Sequence, residues 1–285
     1  MISNIEQNFL QLLQSSDEIN VALALELAKG NPNLQVHIKD YFTLYKWAFD
    51  YKLKEINAVY IAQLNQKELH LDRKRLEYVP PEIGRLSQLE ELHLDINSLT
   101  FLPPEIGQLQ RLRRLVLSNN ELVALPPEIK NLTKLEEFNL GGNFITSVPK
   151  EIGHLSKLKV FNLYSNRLSS LPDEIGGLIN LEEFFIGANS IRALPPSIGK
   201  LTNLWQLHMQ SNLLTEFPDE ICQLQNLQDL HFPVNTSIPD DTLLFLPKEI
   251  GKLANLKELG LTMQPIPEAE KARIQACLPN CIIEF

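Results

Sequence analysis

Residues 89–111 read LEELHLDINSLTFLPPEIGQLQR, and residues 112–134 read LRRLVLSNNELVALPPEIKNLTK. The two stretches align without a gap, and their 23-residue spacing continues on both sides. Three residue types keep this spacing, at Leu89, Leu112, Leu135, Leu158, Leu181, Leu204 and Leu227, at Asn97, Asn120, Asn143, Asn166, Asn189, Asn212 and Asn235, and at Pro80, Pro103, Pro126, Pro149, Pro172, Pro195 and Pro218. A fixed period of this length predicts a stacked array, in which each unit buries its apolar face against its neighbours.

Each repeat predicts one short strand and one short helical segment. Leu92 and Leu94 flank His93, and this alternation is typical of a half-buried strand. Pro104 then stands where a helix can begin, and Glu105 favours the positive end of a helix dipole. The sequence therefore predicts a strand, a turn and one or two helical turns in every repeat.

The stacked repeats predict an α/β solenoid with a parallel sheet. Strands stack at ~4.7–4.9 Å and the helical side is wider, so we expect a right-handed, curved solenoid with the strands on its concave face and short helical segments on its convex face. An amide side chain offers both donors and an acceptor, so we expect each repeated Asn to bond the backbone of the next coil. Phe138, Phe161 and Phe184 replace Leu in consecutive repeats and predict a stacked ladder in the core.

The two ends of the chain lack the repeat and are predicted to cap it. Residues 1–65 predict a helical N-terminal cap, with a separate signalling module as the alternative. Residues 66–263 hold eight full turns and a final strand, with an insertion near 235–246 that we expect to bulge as a loop. Residues 264–285 predict a C-terminal cap, with a helix over 267–277 and a short strand over 281–285. We therefore expect a complete array without a further domain.

The motif L-x-x-L-x-L-x-x-N-x-L followed by L-P-x-E-I-G-x-L resembles the leucine-rich-repeat family. Its second half is most similar to the 23-residue class of plant intracellular Ras-group-related leucine-rich-repeat proteins and of many bacterial relatives. Lys74 and Gln66 depart from the motif in the first turn, which we interpret as a boundary unit. The resemblance implies protein binding, as in a cytoplasmic signalling scaffold, and it implies nothing more specific about function.

Composition narrows the classes of partner. The chain carries 35 acidic and 26 basic residues, and its net charge of −9 argues against nucleic-acid binding. No apolar run approaches the ~20 residues of a membrane span, and the first residues lack a signal-peptide pattern. The three cysteines show no zinc-site spacing, so we expect reduced thiols in a cytoplasmic protein without a cofactor.

The motifs of common enzymes are missing from the sequence, so we expect a non-enzymatic protein. The patterns G-x-x-x-x-G-K, H-E-x-x-H and G-x-S-x-G do not occur. The alternative is a metal-dependent or enzyme-like site on the first two strands, formed by His70, Asp72, His93 and Asp95. We favour two solvated polar rows there. A second pair, His208 and His231 with Asp229 nearby, has the same two interpretations.

Exposed aromatic residues predict a binding centre on the concave face. They cluster in the repeats that begin at Leu158, Leu181 and Leu204. The predicted binding residues are Tyr164, Phe185, Trp205, His208, Gln210, Glu137, Glu183 and Asp229. The acidic members favour a protein or peptide ligand with basic flanks. The alternatives are aromatic side chains that only pack on one another, and a secreted effector that binds a host protein.

Overall fold

A computed structural model of the chain describes residues 4–49, 52–214, 216–232, 245–262 and 266–285. The predicted insertion near 235–246 lies outside these ranges except for its last two residues, and Asn235 lies outside them too. Within the described ranges, no helix is long and apolar enough to cross a membrane.

The strands form one parallel sheet in which every strand pairs with its neighbours in sequence. Among the described residues the sheet has ten strands, in the order of the chain. In the repeats, residues one period apart lie opposite each other, as Leu92 lies opposite Leu115. The strands are β1 Glu68–His70, β2 Glu91–His93, β3 Arg114–Val116, β4 Glu137–Asn139, β5 Val160–Asn162, β6 Glu183–Phe185, β7 Gln206–His208, β8 Asp229–His231, β9 Glu258–Gly260 and β10 Ile282–Glu284. This arrangement confirms the predicted α/β solenoid.

Short 3-10 helices connect the strands on the side opposite the sheet. Pro104 opens one of them, and Ile106 inside it is fully buried. A 3-10 helix is tighter than the helical turns that the sequence predicts, and it suits a connection of only a few residues. The described segments are Pro81–Arg85, Pro104–Gln108, Pro127–Asn131, Lys150–His154, Asp173–Gly177, Pro196–Lys200, Asp219–Gln223 and Lys248–Lys252.

The core between sheet and connections is built from the repeated apolar residues. The rings of Phe138 and Phe161 stack with centroids 5.7 Å apart, and those of Phe161 and Phe184 with centroids 5.6 Å apart. All three side chains are fully buried, so the predicted phenylalanine ladder is confirmed. Because each ring packs on the ring of the next repeat, the ladder couples three coils through dispersion contacts.

The repeated asparagines that the structure describes, Asn97 to Asn212, bond the coil before them, not the coil after them as we predicted. Asn143 Oδ1 accepts from Leu122 N at 3.0 Å, and Asn143 Nδ2 donates to Leu117 O at 3.0 Å. The same Nδ2 donates within its own coil to Leu140 O at 2.9 Å. An amide can bond a coil on either side, so the residue type alone does not determine the direction. In the first coil, where Lys74 replaces the asparagine, the backbone N–H of Lys74 thus donates to Asn97 of the next coil.

The residue before each asparagine from Asn97 to Asn212 in this series has a left-handed backbone. Gly142 has φ +69°, which suits glycine. Five other residues hold the same position in their repeats with φ between 52° and 56°, namely Ile96, Asn119, Ser165, Ala188 and Ser211. A β-branched residue such as Ile96 rarely adopts this conformation, so its coil carries local strain.

Helices flank the repeats at both ends. The first 65 residues form α1 Asn4–Leu13, α2 Glu18–Ala28, α3 Pro32–Ala48 and α4 Ala58–Leu64. Asn65 is buried where these helices meet the sheet, and it accepts from Tyr41 Oη at 2.9 Å and donates to Leu13 O at 2.7 Å. Arg85 in the first 3-10 segment pairs with Asp40 of α3 at 2.8 Å. At the other end α5 Glu268–Cys277 precedes β10.

Candidate functional site

The concave face carries a shallow depression near its centre. The depression has a volume of about 510 Å³ and crosses the ends of β4 to β7. We call it the central depression; it is lined in part by Asn139, Asn162, Tyr164, Phe185, His208 and Gln210. Four of the eight predicted binding residues therefore lie together. Asn139 and Asn162 were not predicted, although their shared position in neighbouring repeats was a visible signal.

Tyr164 is the most exposed aromatic residue of the central depression. It follows β5, and 43% of its surface is exposed. A Cβ at Gly187 would lie 3.0 Å from Tyr164 Cδ2, so the ring packs directly over this glycine. Gly141 holds the same position as Tyr164 in the preceding repeat. There the amide oxygens of Asn139 and Asn162 lie 3.4 Å and 3.3 Å from where a Cβ of Gly141 would be.

Phe185 lies at the end of β6 and contacts the next strand. Its ring meets the ring of His208 edge to face, with centroids 5.3 Å apart and planes at 82°. Gln210 Oε1 is buried nearby and accepts no hydrogen bond from any described residue. A buried carbonyl oxygen without a donor is costly.

Trp205 is separate from the other predicted aromatic residues. It precedes β7 instead of lying in it, and its backbone N–H donates to Glu182 O at 2.9 Å. Its side chain is half-buried and does not line the central depression. Phe185 and His208 are the last residues of their strands, so Trp205 lies at the opposite end of the strand from them.

Of the three acidic residues that we predicted to bind the ligand, two are paired with other residues of the chain. Glu137 binds Arg114 at 2.9 Å, and Asp229 binds His208 at 2.8 Å. Glu183 forms no ion pair within the described ranges. Partial burial, and then repulsion from Glu182 and Glu137, raise the pKa of the Glu183 carboxyl above its ordinary value. A negative charge at Glu183 is therefore only partly compensated.

The four predicted metal-binding residues on the first two strands do not converge. The rings of His70 and His93 stack with centroids 4.4 Å apart and planes at 24°. His70 Nε2 lies 3.6 Å from Glu68, and His93 Nε2 lies 3.4 Å from Glu91. Each imidazole thus faces a carboxylate of its own strand. Asp72 and Asp95 are not part of any convergent group of metal-binding side chains among the described residues.

The second histidine pair does converge with a carboxylate. His208, Asp229 and His231 place one ligand atom each within 4.8 Å of one another. His231 Nε2 also lies 3.4 Å from Glu258 Oε1, a residue that the sequence analysis did not single out. The reason is that Glu258 follows the insertion, where the 23-residue count is interrupted.

Comparison with known families agrees with this architecture. A family model described as a leucine-rich repeat region matches residues 48–168 and 145–284. No curated protein matches the chain at a significant level.

Three solved structures illustrate the similarity. A leucine-rich repeat protein of Leptospira interrogans is 31% identical, with 82% of each chain covered and a TM-score of 0.38. The plant peptide hormone receptor RGFR1, in complex with RGF2, is 25% identical; the match covers 85% of this chain and 45% of the receptor chain, with a TM-score of 0.61. TLR13, in complex with ssRNA13, is 26% identical; the match covers 72% of this chain and 30% of that chain, with a TM-score of 0.61. The chain thus spans less than half the length of the RGFR1 chain and of the TLR13 chain.

Proposed function

The chain belongs to the leucine-rich repeat family, and from this we propose that it is a non-enzymatic cytoplasmic module that binds a protein or peptide on its concave face. The observation that carries the proposal is the central depression, where the half-exposed rings of Tyr164 and Phe185 lie beside amide groups. Aromatic anchors with adaptable polar neighbours are typical of binding hot spots.

The chemistry of the central depression suits an extended peptide. An apolar side chain of the ligand would pack against Tyr164 and Phe185. The ligand backbone would pair with the amides of Asn139 and Asn162, which line the central depression. Such a ligand exchanges water for fixed hydrogen bonds without burying an unpaired group.

A basic group next to the apolar anchor would strengthen binding. Its site is Glu183 together with Glu182, because Glu137 and Asp229 already have partners in the chain. Burial, and then repulsion from Glu182 and Glu137, raise the pKa of Glu183, and a ligand cation there would offset the repulsion. Trp205, at the edge of the same face, extends the proposed surface beyond the depression.

The similar structures bear on the class of ligand. RGFR1 is a peptide hormone receptor, and its structure contains RGF2, whereas the structure of TLR13 contains a single-stranded RNA. For this chain the net charge of −9 opposes RNA, because phosphate binding depends on an excess of basic groups. A peptide or protein ligand is therefore the better match.

The test is a quantitative pull-down from the lysate of the source organism. The baits are the wild-type chain, the double variant Tyr164→Ala with Phe185→Ala, and the control Phe101→Ala. Phe101 is 54% exposed but lies outside the central depression. We expect the wild type and the control to retain the same partner and the double variant to lose it. A partner retained equally by all three baits would contradict the proposal.

A further inference from the structure

The strand register brings two histidines and two carboxylates together at the C-terminal end of the concave face. His208 of β7 lies opposite His231 of β8, and Asp229 of β8 lies opposite Glu258 of β9. Residues two positions apart in a strand share a face, so Asp229 and His231 point to the same side of the sheet. The four side chains form what we call the histidine–carboxylate cluster.

Within this cluster both imidazoles direct the same nitrogen at one carboxylate. His208 Nε2 lies 2.8 Å from Asp229 Oδ2, and His231 Nε2 lies 3.1 Å from Asp229 Oδ1. His231 Nε2 also lies 3.4 Å from Glu258 Oε1. Ligands that share a tetrahedral zinc ion, bound at about 2.0–2.1 Å, are separated by roughly 3.3 Å. The distances from the two imidazoles to the Asp229 carboxylate are therefore close to those in a common coordination sphere, and all three ligand atoms lie within 4.8 Å of one another.

The hydrogen bonds of Asp229 are incomplete in a way that a cation would resolve. Asp229 Oδ1 is buried and receives no well-aligned hydrogen bond from the described residues, although His231 Nε2 is close. Gln206 Nε2 donates to Asp229 Oδ2 at 2.7 Å and lies 3.1 Å from His208 Nε2. The amide and the imidazole thus both reach Oδ2, which can accept two hydrogen bonds, whereas Oδ1 is left without one. A metal at Oδ1 would leave Gln206 as an outer partner that orients the carboxylate.

The neighbouring strand provides space for the second imidazole. Gly260 lies opposite His231, and a Cβ at Gly260 would lie only 2.7 Å from His231 Nδ1. The glycine thus lets the ring of His231 turn across the strand. As a result the planes of His208 and His231 meet at 74°, and both Nε2 atoms reach the carboxylate between them.

The first histidine pair is a natural comparison, because it has the same position in the repeat. The rings of His70 and His93 lie nearly parallel, and each Nε2 faces a glutamate of its own strand. No shared carboxylate lies between them among the described groups that could hold a metal. Both pairs thus consist of histidines at the same repeat position, but only His208 and His231 converge on a shared carboxylate.

We propose that His208, Asp229 and His231 form a binding site for a divalent transition-metal ion of the Zn²⁺ type, with Glu258 next to His231. Two imidazoles with one or two carboxylates are a donor set that suits zinc. The side chains of the three central residues are 20%, 21% and 28% exposed, so a bound ion can be reached from solvent. The site does not depend on the proposed protein partner.

The experiment measures Zn²⁺ binding to the full chain, without a polyhistidine tag, in competition with a chromophoric chelator and without any partner. We expect one Zn²⁺ per wild-type chain. His231→Ala and Asp229→Asn should each weaken binding at least about tenfold, since even outer partners of a metal site contribute this much. His93→Ala is the matched control and should leave the affinity unchanged.

Asp229→Asn preserves the size of the side chain, so it tests the site even if His231→Ala does not fold. Urea denaturation midpoints, measured for all variants, verify that each Zn²⁺ affinity is that of a folded chain. Absence of saturable binding by the wild type would overturn the proposal. Equal affinities of the wild type and Asp229→Asn, or an equal loss in His93→Ala, would overturn it as well.

Discussion

Phe184 and Phe185 are neighbours in one strand, yet they belong to two different faces of the sheet. Phe184 is fully buried and stacks on Phe161, whereas Phe185 is half-buried on the concave face and contacts His208. On the buried face nearly the same residue returns every 23 positions, because each coil offers the same surroundings. On the concave face the residue changes from coil to coil. The buried face therefore stabilises the fold, and the concave face is free to specify a ligand.

The largest expected effect comes from exchanging each of these two phenylalanines for alanine. Phe184→Ala leaves a cavity inside the ladder and should lower the free energy of unfolding by about 3–5 kcal/mol. Phe185→Ala should lower it by only about 1 kcal/mol, since the ring is half-buried and leaves no enclosed cavity. Urea denaturation followed by circular dichroism measures both. Equal losses of stability would remove the distinction between the two faces.

The asparagines permit the same comparison with polar groups. Asn143→Ala deprives buried backbone groups of two coils of their partners, and it should cost about 1–3 kcal/mol. Asn139 lies on the concave face, and among the described residues its side chain accepts a hydrogen bond only from Gly141 N, at 3.1 Å. Water can replace that bond, so Asn139→Ala should cost clearly less. Urea midpoints that shift equally for the two variants would argue against the ladder as a stabilising device.

The turn between the two faces offers a stabilising substitution. Ile96 holds φ +54° and is 41% exposed, so it carries strain and gains little from burial. Ile96→Asn should raise stability by about 1 kcal/mol, because asparagine tolerates the left-handed region. Val123→Asn, at another exposed position, is the control and should stay within about 0.5 kcal/mol. A loss of stability in Ile96→Asn would show that the side chain is needed for packing.

The smallest expected effect concerns a charge on the concave face. Burial, and then Glu182 and Glu137, raise the pKa of Glu183, so its ionisation costs stability as the pH rises through that pKa. Glu183→Gln should therefore slightly raise the thermal midpoint at neutral pH. The gain should disappear in acid, where Glu183 is protonated in both folded and unfolded chains. Melting curves across this pH range measure it, and a gain that is independent of pH would contradict the assigned cause.

Sequence reasoning succeeded where surroundings repeat. Strand positions, register and the phenylalanine ladder followed from the period, because the buried position that Phe161 occupies has similar neighbours in every coil. Sequence reasoning did not predict the contacts of surface side chains, because these depend on which rotamer each side chain adopts. The period could not tell that His70 and His93 stack while His208 and His231 meet at an angle, or that Arg114 neutralises Glu137.

The central claim is that the concave face binds the ligand, and one calorimetric titration tests it most directly. The partner recovered by pull-down is titrated into the wild-type chain and into the double variant Tyr164→Ala with Phe185→Ala, after urea midpoints have shown that both are folded. We predict that the double variant loses about 2 kcal/mol or more of binding free energy, roughly a thirtyfold weaker affinity. An unchanged affinity would place the binding site on the convex side or on the terminal helices, and it would contradict the account.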